Sequence, residues 1–538
     1  MTMPSTLEVN VDTSWDGTGL FDGEFDRVTD DVLAEPGITI DDWRDGARTL
    51  APPKVSATNY TLANDEGIYS PDRADSPIYQ RVLPGRPVAV IAEHGVDRLY
   101  RADLLYRADL PYRGKAFYEL AITTISKMTP TTGVGNRRVR FETLGIEQLL
   151  VGTKVSIPVM VAPRIDQVFT AYLDAVGWPL DMREIAVSDT TLTYYWADER
   201  QPWAGMVELL GAEGPGAFYV RAGVFHFENR NFRATAARSV TSQATLFDRI
   251  AGTSIIYRDD VLYRGDHLYR GTTSGLYFTD FQPDDSFDSI YNRATYPTKR
   301  RALAPTPVKV WEYGADFSLG SGQERTFIAK PTDPFLHAVT PVLTTDYTVS
   351  GGTVSVAIAA DSGLVAFITI TATSGTPTVS GLQLRARPLT VVSETIVTNT
   401  IDASASIAKY SPIPGEDIPR TLALAGWPEI EPVMAEAACD AWVSRYMVPR
   451  PAVQITLENA DAAHQRLMLE ARPSDRWTVI EPNTGIAADV WLNSRKLLIH
   501  GAGGRQVKAV FGAERVEELE GFTWDNALSV WNTAVWGT

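Results

Sequence analysis

The sequence predicts a mainly β, multidomain fold with α+β parts, β-barrel or sandwich domains and a small all-β insert. Residues 7–11 alternate apolar and polar side chains, the period of a half-buried strand, and residues 88–92 form a short apolar run typical of a buried strand. Between about residues 320 and 389 the charge drops, and β-branched runs alternate with Gly-Gly and Ser-Gly pairs. A chain of 538 residues is also too long for one hydrophobic core.

Three segments have the apolar spacing of helices. The first covers residues 168–176 and stops at Gly177-Trp178-Pro179, because glycine and proline end helices. The second runs from about residue 202 to 210 and precedes a hairpin that turns at Ala222-Gly223. The third begins at Pro432 and ends near residue 447. Its side chains predicted to face inward are Val433, Ala437, Cys439, Trp442 and Tyr446.

These elements divide the chain into six segments. We expect an N-terminal β-barrel domain at 1–150, an α+β domain at 151–235, a second β-rich segment at 236–315, the all-β insert at 316–390, a helix plus β-barrel segment at 391–515, and a tryptophan-rich arm at 516–538. The segment 391–515 is expected to fold back onto the β-rich part of the protein that residues 1–150 and 236–315 form.

Composition limits the partners and the compartment. The net charge is −17, from 49 Lys+Arg against 66 Asp+Glu, and the longest basic run is Lys299-Arg300-Arg301, so we expect no stable nucleic-acid binding. A single cysteine, Cys439, cannot form an internal disulfide, and its apolar neighbours predict a buried thiol. We see no signal peptide and no apolar stretch long enough for a transmembrane segment, which predicts synthesis in the cytoplasm.

Two segments repeat a six-residue unit built on Tyr-Arg. In an extended chain this even spacing would place the tyrosines on one face and the arginines on the other, whereas the intervening Ala-Asp, Asp-Asp and Gly-Asp pairs could bend the chain into hairpins. Such faces either dock a neighbouring subunit or pack inside their own domain. Two copies also suggest a duplicated domain. The C-terminal arm adds three tryptophans with almost no charge and docks either on its own domain or on another subunit. The interface candidates are Tyr100, Tyr106, Tyr112, Tyr257, Tyr263, Tyr269, Trp524, Trp531 and Trp536.

No chemical motif stands out, so the sequence predicts a protein that is not an enzyme, with no catalytic, cofactor-binding or metal-binding residue. The six histidines lack zinc-site spacing, and no phosphate loop or nucleophile elbow is present. The glycines at 501–504 precede a strand pattern, which favours a hairpin turn. The acidic cluster at 12–31 lacks a calcium-loop spacing and indicates solvated turns. Sequence leaves open whether two carboxylates meet as a glycosidase pair.

Three stretches together resemble the tail-hub proteins of siphophages, especially those that infect actinobacteria. The first is residues 60–71 with the Leu83-Pro84-Gly85-Arg86-Pro87-Val88 entry to the next strand, preceded by residues 25–32. The second is residues 164–179, ending in Gly-Trp-Pro, with the hairpin that ends at Arg230. The third is residues 382–386 with 406–410 and the helix at Pro432. There the match is looser, since Ser411-Pro412 stands where the family often has glycine.

This resemblance covers most of residues 1–515 and rests on structural turns. It implies a homotrimer with two barrel domains per subunit, arranged in a pseudo-sixfold ring at the virion tail tip. The implied partners are the distal tail protein above, the tape-measure protein, and tail fibres or a spike below. Two other functions stay open: a receptor- or glycan-binding tail protein that uses the β insert, and a cell-wall hydrolase of the tail tip.

Overall fold

The computed structural model describes residues 7–98, 112–131, 137–248, 276–284, 289–361, 363–399, 403–413, 415–459, 461–481, 485–500 and 506–516. Strands predominate in several sheets, which confirms the predicted mainly β, multidomain class. The strands are β1 Leu7–Thr13, β2 Ile38–Trp43, β3 Ala57–Ala63, β4 Pro87–Arg98, β5 Tyr112–Thr131, β6 Arg138–Gly145, β7 Val155–Val161, β8 Arg183–Ile185, β9 Tyr194–Arg200, β10 Ala217–Arg221, β11 Val224–Glu228, β12 Ala244–Asp248, β13 Leu276–Phe278, β14 Asp280–Asp284, β15 Arg293–Leu303, β16 Val308–Glu312, β17 Phe317–Ser318, β18 Glu324–Ala329, β19 Phe335–Val339, β20 Thr348–Asp361, β21 Ala366–Ser380, β22 Gln383–Asn399, β23 Thr421–Ala423, β24 Ala452–Glu458, β25 Arg476–Glu481, β26 Ile486–His500 and β27 Gln506–Arg515. The helices are α1 Gln148–Gly152, α2 Ile165–Ala175, α3 Pro202–Glu213, α4 Phe232–Thr235, α5 Ala237–Val240, α6 Ala403–Tyr410, α7 Pro432–Tyr446 and α8 Ala462–Glu470, with 3-10 turns at Thr29–Asp31 and Leu180–Met182.

The N-terminal barrel consists of β1, β4, β5, β6 and β3, which pair in that order and are all antiparallel. The ladder is open between β3 and β1, and residues 26–33 span the opening. Val28 N donates to Val11 O at 3.0 Å, and Leu33 N donates to Thr61 O at 2.9 Å. This segment therefore occupies the place of a sixth strand.

The C-terminal barrel is built from β12, β25, β26, β27, β24 and the run 276–284, which contains β13 and β14. Each of these pairs with the next, and β13 returns to β12. The two halves of the run are separated only by Thr279, whose N donates to Thr456 O of β24 at 2.8 Å. The pairing thus returns to the strand from which it started.

Both barrels follow the same order of neighbours. Counting six segments along the chain in each barrel, the circuit runs first, fourth, fifth, sixth, third, second. The one difference is the first strand, since β1 is antiparallel to its partner β4 and β12 is parallel to its partner β25. The chain therefore contains a duplicated barrel. The Tyr-Arg repeats do not mark equivalent positions in it, because the first lies between the fourth and fifth segments and the second between the first and second.

Strand β2 joins the two barrels. One edge pairs with β3 from Thr39 to Asp41, and the other pairs with β26 along Ile38–Trp43. Because one sheet passes through both barrels, their apolar side chains form one continuous core that includes Phe141 and Trp477. The aromatic ring of Trp43 lies 6.2 Å from that of Phe511, so β2 also contributes directly to the C-terminal barrel.

A second core lies in the α/β body, which packs α2, α3 and α7 against short sheets. The predicted helices are confirmed, with Gly177 at a φ of 73° after α2 and the predicted hairpin turning at Ala222 and Gly223. The inward position predicted for Val433 is wrong, because this side chain is 71% exposed. It lies two residues before the buried Ala435, about 200° around the helix. The buried residues of α7 are Ala435, Ala438, Cys439, Trp442, Val443 and Tyr446.

The all-β insert has a third core, which includes Phe317, Phe327 and Ile368. The sequence indicated a break at Gly351-Gly352, but β20 runs through both glycines. A register shift against β21 between Ser350 and Gly352 absorbs the irregularity. The predicted domain boundaries stay predictions, since these cores are assembled from segments distant in sequence.

Candidate functional site: a buried polar junction

A polar cluster, here called the junction, joins the barrels to the α/β body. At its centre is Arg233 of α4, whose side chain is buried. Its Nε donates to Ser474 Oγ at 3.0 Å, Nη1 to Thr49 Oγ1 at 2.9 Å, and Nη2 to Asn493 Oδ1 at 2.5 Å. Its guanidinium also lies 5.3 Å from the ring centre of Trp491. One side chain of the body is thus held at three points of the barrel strands and loops.

Ser474 links this arginine to a buried carboxylate of the body. Its Oγ donates to Glu228 Oε2 at 2.6 Å, and Glu228 Oε1 accepts from Arg238 at 2.5 Å and from the Tyr219 hydroxyl at 3.0 Å. Arg238 also reaches Asp475 at 3.2 Å. Ser474 has a φ of 63°, an uncommon conformation for a residue with a side chain, which suits a position fixed by several hydrogen bonds.

A third part of the junction surrounds Glu514 of β27. Its Oε2 accepts from Thr49 N at 2.8 Å and Thr49 Oγ1 at 2.5 Å, and lies 3.5 Å from Nη2 of Arg445 in α7. Burial alone would raise the pKa of Glu514, but the Arg445 and Arg450 charges and the Thr49 hydrogen bonds outweigh it and lower the pKa to about 2. Glu514 is therefore an anion among cations.

The buried arginines of the junction lose the hydration that stabilises their charge in water. Burial, with the charges of Arg445 and Arg44 nearby, lowers the pKa of Arg233 to about 9. Arg44 is itself buried and donates from Nη2 to Gly216 O at 2.7 Å, and burial lowers its pKa as well. Buried cations of this kind persist when their donors are satisfied by fixed acceptors.

The geometry of the junction favours a structural role over catalysis. Ser474 is 0% exposed and Glu228 is 3% exposed, so a substrate cannot reach the hydroxyl–carboxylate pair. The nearby His226 Nδ1 lies 3.0 Å from Glu184 instead of contacting Ser474. The junction can fix the barrels relative to the body, because each of its carboxylates bonds groups from both.

A surface groove of about 620 Å³ lies beside the junction, outside the C-terminal barrel. Its charged lining residues are Arg450, Arg476, Asp489 and Arg515, and Arg476 Nε donates to Asp489 Oδ2 at 2.6 Å. Its lining also includes Val516, the last described residue of the chain.

The interface residues predicted from sequence are not tested by this geometry. Tyr112 begins β5, but its side chain lies outside the description, and the others lie outside the described residues altogether. These are Tyr100, Tyr106, Tyr257, Tyr263, Tyr269, Trp524, Trp531 and Trp536.

Sequence reasoning missed the junction entirely. Thr49 and Glu514 are 465 residues apart, and no local pattern connects them. The one available signal was arginine in short segments with apolar neighbours, such as Arg233 between Phe232 and Ala234. That signal does not indicate which residues such an arginine bonds.

Other predicted features have clear positions. Cys439 is buried, as expected, and burial raises the pKa of its thiol to about 12. In the acidic N-terminal turns, Asp16 Oδ1 accepts from Ser14 Oγ at 2.8 Å, and Asp26 Oδ2 accepts from Gly23 N at 2.8 Å.

Across the described ranges, no three His, Cys, Asp or Glu side chains form a cluster able to hold a metal ion. Of the helices in the described part of the chain, none is long and apolar enough to cross a membrane.

Glu147, which precedes α1, lies at the boundary between the N-terminal barrel and the body. Its carboxyl group makes the stability of the folded state depend on pH. Its Oε1 accepts from Ser56 Oγ at 2.6 Å, while the buried Oε2 has no hydrogen-bond partner among the described residues. Burial raises the pKa of Glu147 from 4.5 to about 7. The folded state therefore holds this proton more tightly than the unfolded chain does, and stability falls as pH rises from 4.5 through 7.

Replacing Glu147 with glutamine should remove this pH dependence. Because a shift of this size corresponds to about 3 kcal/mol, wild type should lose up to that amount between about pH 5 and about pH 8, and E147Q should not. Chemical denaturation at both pH values measures the difference. E470Q, at a 44% exposed side chain, is the matched control and should follow wild type. Equal pH dependence in E147Q and wild type would contradict the assignment.

Comparisons with known proteins give similarity to solved structures only. A tail protein from Neisseria meningitidis MC58 is similar over 94% of this chain and 96% of its own, with 10% identity and a TM-score of 0.45. The 43 kDa tail protein of prophage MuSo2 from Shewanella oneidensis is similar over 94% and 98%, with 8% identity and a TM-score of 0.43. A Francisella PdpA–VgrG complex is similar over 96% and 53%, with 7% identity and a TM-score of 0.39. No protein-family model matches the sequence, and no curated protein matches it.

Proposed function

We propose that this chain is a structural virion protein, a tail-tip or baseplate hub subunit of a long-tailed bacteriophage, and that it assembles as a homotrimer. The duplicated barrel carries the proposal. Three copies of a chain with two barrels of the same strand order present six similar barrels, which can close a pseudo-sixfold ring. The sequence resemblance to siphophage tail hubs implies the same arrangement.

The internal construction of the chain suits such a ring. The barrels share one sheet and one core, and the junction fixes them to the α/β body through buried charges. The net charge of −17 suits a ring whose lumen must let DNA pass without binding it. We propose the distal tail protein, the tape-measure protein and tail fibres or a spike as its partners, and the virion tail tip as its location after synthesis in the host cytoplasm.

An image of labelled virions tests this proposal. A small tag can be inserted after Gly322, which has a φ of 75° in the exposed turn between β17 and β18 of the insert. We expect three labels around the distal end of each tail, with untagged virions as the control. Labels along the tail shaft, a count other than three at the tip, or tagged protein absent from infectious virions would overturn the proposal.

The insert offers limited support for the alternative of a receptor- or glycan-binding tail protein. Its aromatic side chains Tyr313, Phe317 and Phe327 lie together, but the Arg325 guanidinium stacks on them at 5.7, 5.3 and 4.9 Å from the ring centres. Sugars bind aromatic faces that are free, so this cluster resembles an intramolecular cation–π contact more than a sugar platform. Binding of host cell-wall glycans by the whole chain, lost in Y313A, would favour this alternative.

The second alternative is a cell-wall hydrolase of the tail tip. The buried serine–carboxylate pair of the junction is inaccessible, and we assign catalysis to no residue. Zymography of the purified chain against host cell walls distinguishes the hydrolase from the structural hub subunit. Clearing of the cell wall would support the hydrolase.

A further inference from the structure

Each barrel has a strand edge to which no strand is paired among the described residues. In the N-terminal barrel it is one side of residues 127–131 of β5, because pairing of β5 with β4 stops at Thr124. In the C-terminal barrel it is the outer side of residues 280–283 of β14, whose inner side pairs with β24. All of these residues are exposed except Met128 and Phe281, which are half-buried. An exposed edge binds a further strand unless something covers or blocks it.

The duplication of the barrel relates β14 to β2. Thr61 O of β3 and Thr456 O of β24 each accept from an N–H of the second segment of their own barrel, at 2.9 and 2.8 Å. Two to four residues before these matched threonines, β3 pairs with Thr39–Asp41 of β2, and β24 pairs with Gln282–Asp284 of β14. The outer side of β2 is paired with β26 of the other barrel. The outer side of β14 is therefore the counterpart of an edge that joins two barrels.

The duplication relates β5 to β26 in the same way. Ile125 of β5 exchanges backbone hydrogen bonds of 2.7 and 2.9 Å with the loop before β4, and Leu492 of β26 exchanges bonds of 2.8 and 3.0 Å with the loop before β25. A register shift against the following strand comes next in both, between Ile125 and Lys127 and between Leu492 and Ser494. Beyond this shift β26 pairs with β2. The edge at residues 127–131 is thus the counterpart of the part of β26 that binds β2.

We infer that β14 of one copy of this chain lies against the edge of β5 in a second copy, placed as β2 is placed on β26 within one chain. Inside the chain Thr39 lies opposite Leu498, and the corresponding pair between chains is Gln282 opposite Thr131. A second copy is the occupant because each copy carries the counterpart of both strands of the internal boundary. The contact is head to tail, so every chain uses β14 on one neighbour and β5 on the other. The inference rests on the proposed hub function and identifies the surface between its subunits.

Charged side chains suit this placement. Inside the chain Asp41 of β2 lies opposite Lys496 of β26. Between chains Asp284, which also bonds Arg48 of its own chain at 3.1 Å, lies diagonally across from the exposed Lys127. Both boundaries therefore set an aspartate of the added strand near a lysine of the strand that receives it, and opposite charges on adjacent strands are favourable neighbours.

Two prolines make the contact between chains weaker than the boundary inside the chain. Ile40 and Leu497 lie opposite each other in the internal boundary, and their counterparts are Pro283 and Pro130. Counted from the bonds of Leu492 across the register shift, Leu497 directs its N–H and C=O at β2. Proline has no N–H, so the corresponding pair between chains lacks both hydrogen bonds. We therefore expect single chains to associate weakly and the ring to hold the contact.

Cysteines at the opposed pair test the contact in virions, since the native Cys439 is 0% exposed. In T131C/Q282C the two Cα atoms of neighbouring chains lie about 5 Å apart, so mild oxidation should link chains into dimers and trimers on a non-reducing gel. T129C/Q282C moves one cysteine about 7 Å along the strand and should cross-link at least about tenfold more slowly. Chains that stay unlinked, a disulfide within one chain, or equal rates for both variants would overturn the inference. Three labels at the tail tip without this cross-link would leave the hub function standing.

Replacing both prolines should strengthen the contact in solution. P130L/P283I introduces the residues of the internal boundary and restores two N–H donors, so self-association of the purified full-length chain should tighten at least about tenfold in analytical ultracentrifugation. P305L/P307I makes the same changes at two exposed prolines in the turn between β15 and β16 and should leave association as in wild type. Circular dichroism and the melting temperature show whether each variant is folded. A folded P130L/P283I chain that associates no more tightly than P305L/P307I would contradict the role of the prolines.

Discussion

Replacing Glu514 with alanine is expected to lower the free energy of unfolding by about 3–5 kcal/mol. The carboxylate is 0% exposed and lies against Arg445 and Thr49. Without it, the cation of Arg445 and the Thr49 N–H lose their buried acceptor, and the desolvation already incurred is no longer offset. Chemical denaturation at neutral pH measures the change.

The pH dependence of the same variant identifies the charge as the cause. The pKa of Glu514 is lowered from 4.5 to about 2, so its contribution is present above pH 4.5 and is lost as pH falls towards 2. Wild type should therefore lose stability in that acid range, and E514A should lose less. E470A, which removes one partner of the exposed Arg466–Glu470 pair, is the control and should cost less than about 1 kcal/mol. An E514A chain as stable as E470A would show that the Glu514 carboxylate does not stabilise the junction.

The second large effect is expected at Asp42 and Arg495, a buried ion pair between β2 and β26. Arg495 Nε donates to Asp42 Oδ1 at 3.1 Å, and its guanidinium lies 4.7 Å from the ring centre of Trp43. Burial raises the pKa of Asp42 despite this partner, so the pair is costly to desolvate. D42A alone should therefore destabilise the chain by about 3–5 kcal/mol, because it leaves Arg495 buried and unpaired.

A double-mutant cycle distinguishes the pair from general packing. D42A/R495M should be more stable than D42A by about 2 kcal/mol, since no unpaired charge stays in the core. Denaturation of the wild type, both single variants and the double variant gives the coupling energy. Additive losses would mean that the two side chains act independently, and the ion pair would then not be what fixes β2 to the C-terminal barrel.

The sequence predicted those parts of the fold that depend on local patterns. Helix α2 has its stop at Gly177, and α7 begins at Pro432, because glycine and proline act on their own backbone. Val433 was placed wrongly because apolar character does not define the phase of a helix, which tertiary packing on β15 and β22 decides.

The candidate site could not be predicted, for a physical reason. Arg233 bonds Thr49, Ser474 and Asn493, which come from three distant segments that only the folded barrels bring together. The duplication was suggested by the Tyr-Arg repeats, yet it is visible in strand order and not in those repeats. Pairing order depends on which edges meet, and single-strand patterns do not contain that information.

The way in which β2 serves both barrels has a mechanical consequence for the proposed ring. Six barrels in a circle have six boundaries between neighbours. Three of these boundaries would run through continuous backbone ladders, because β2 pairs with β3 on one edge and with β26 on the other. The other three would consist of contacts between separate chains. Under tension such a circle would part at every second boundary, releasing three intact pairs of barrels rather than six single ones.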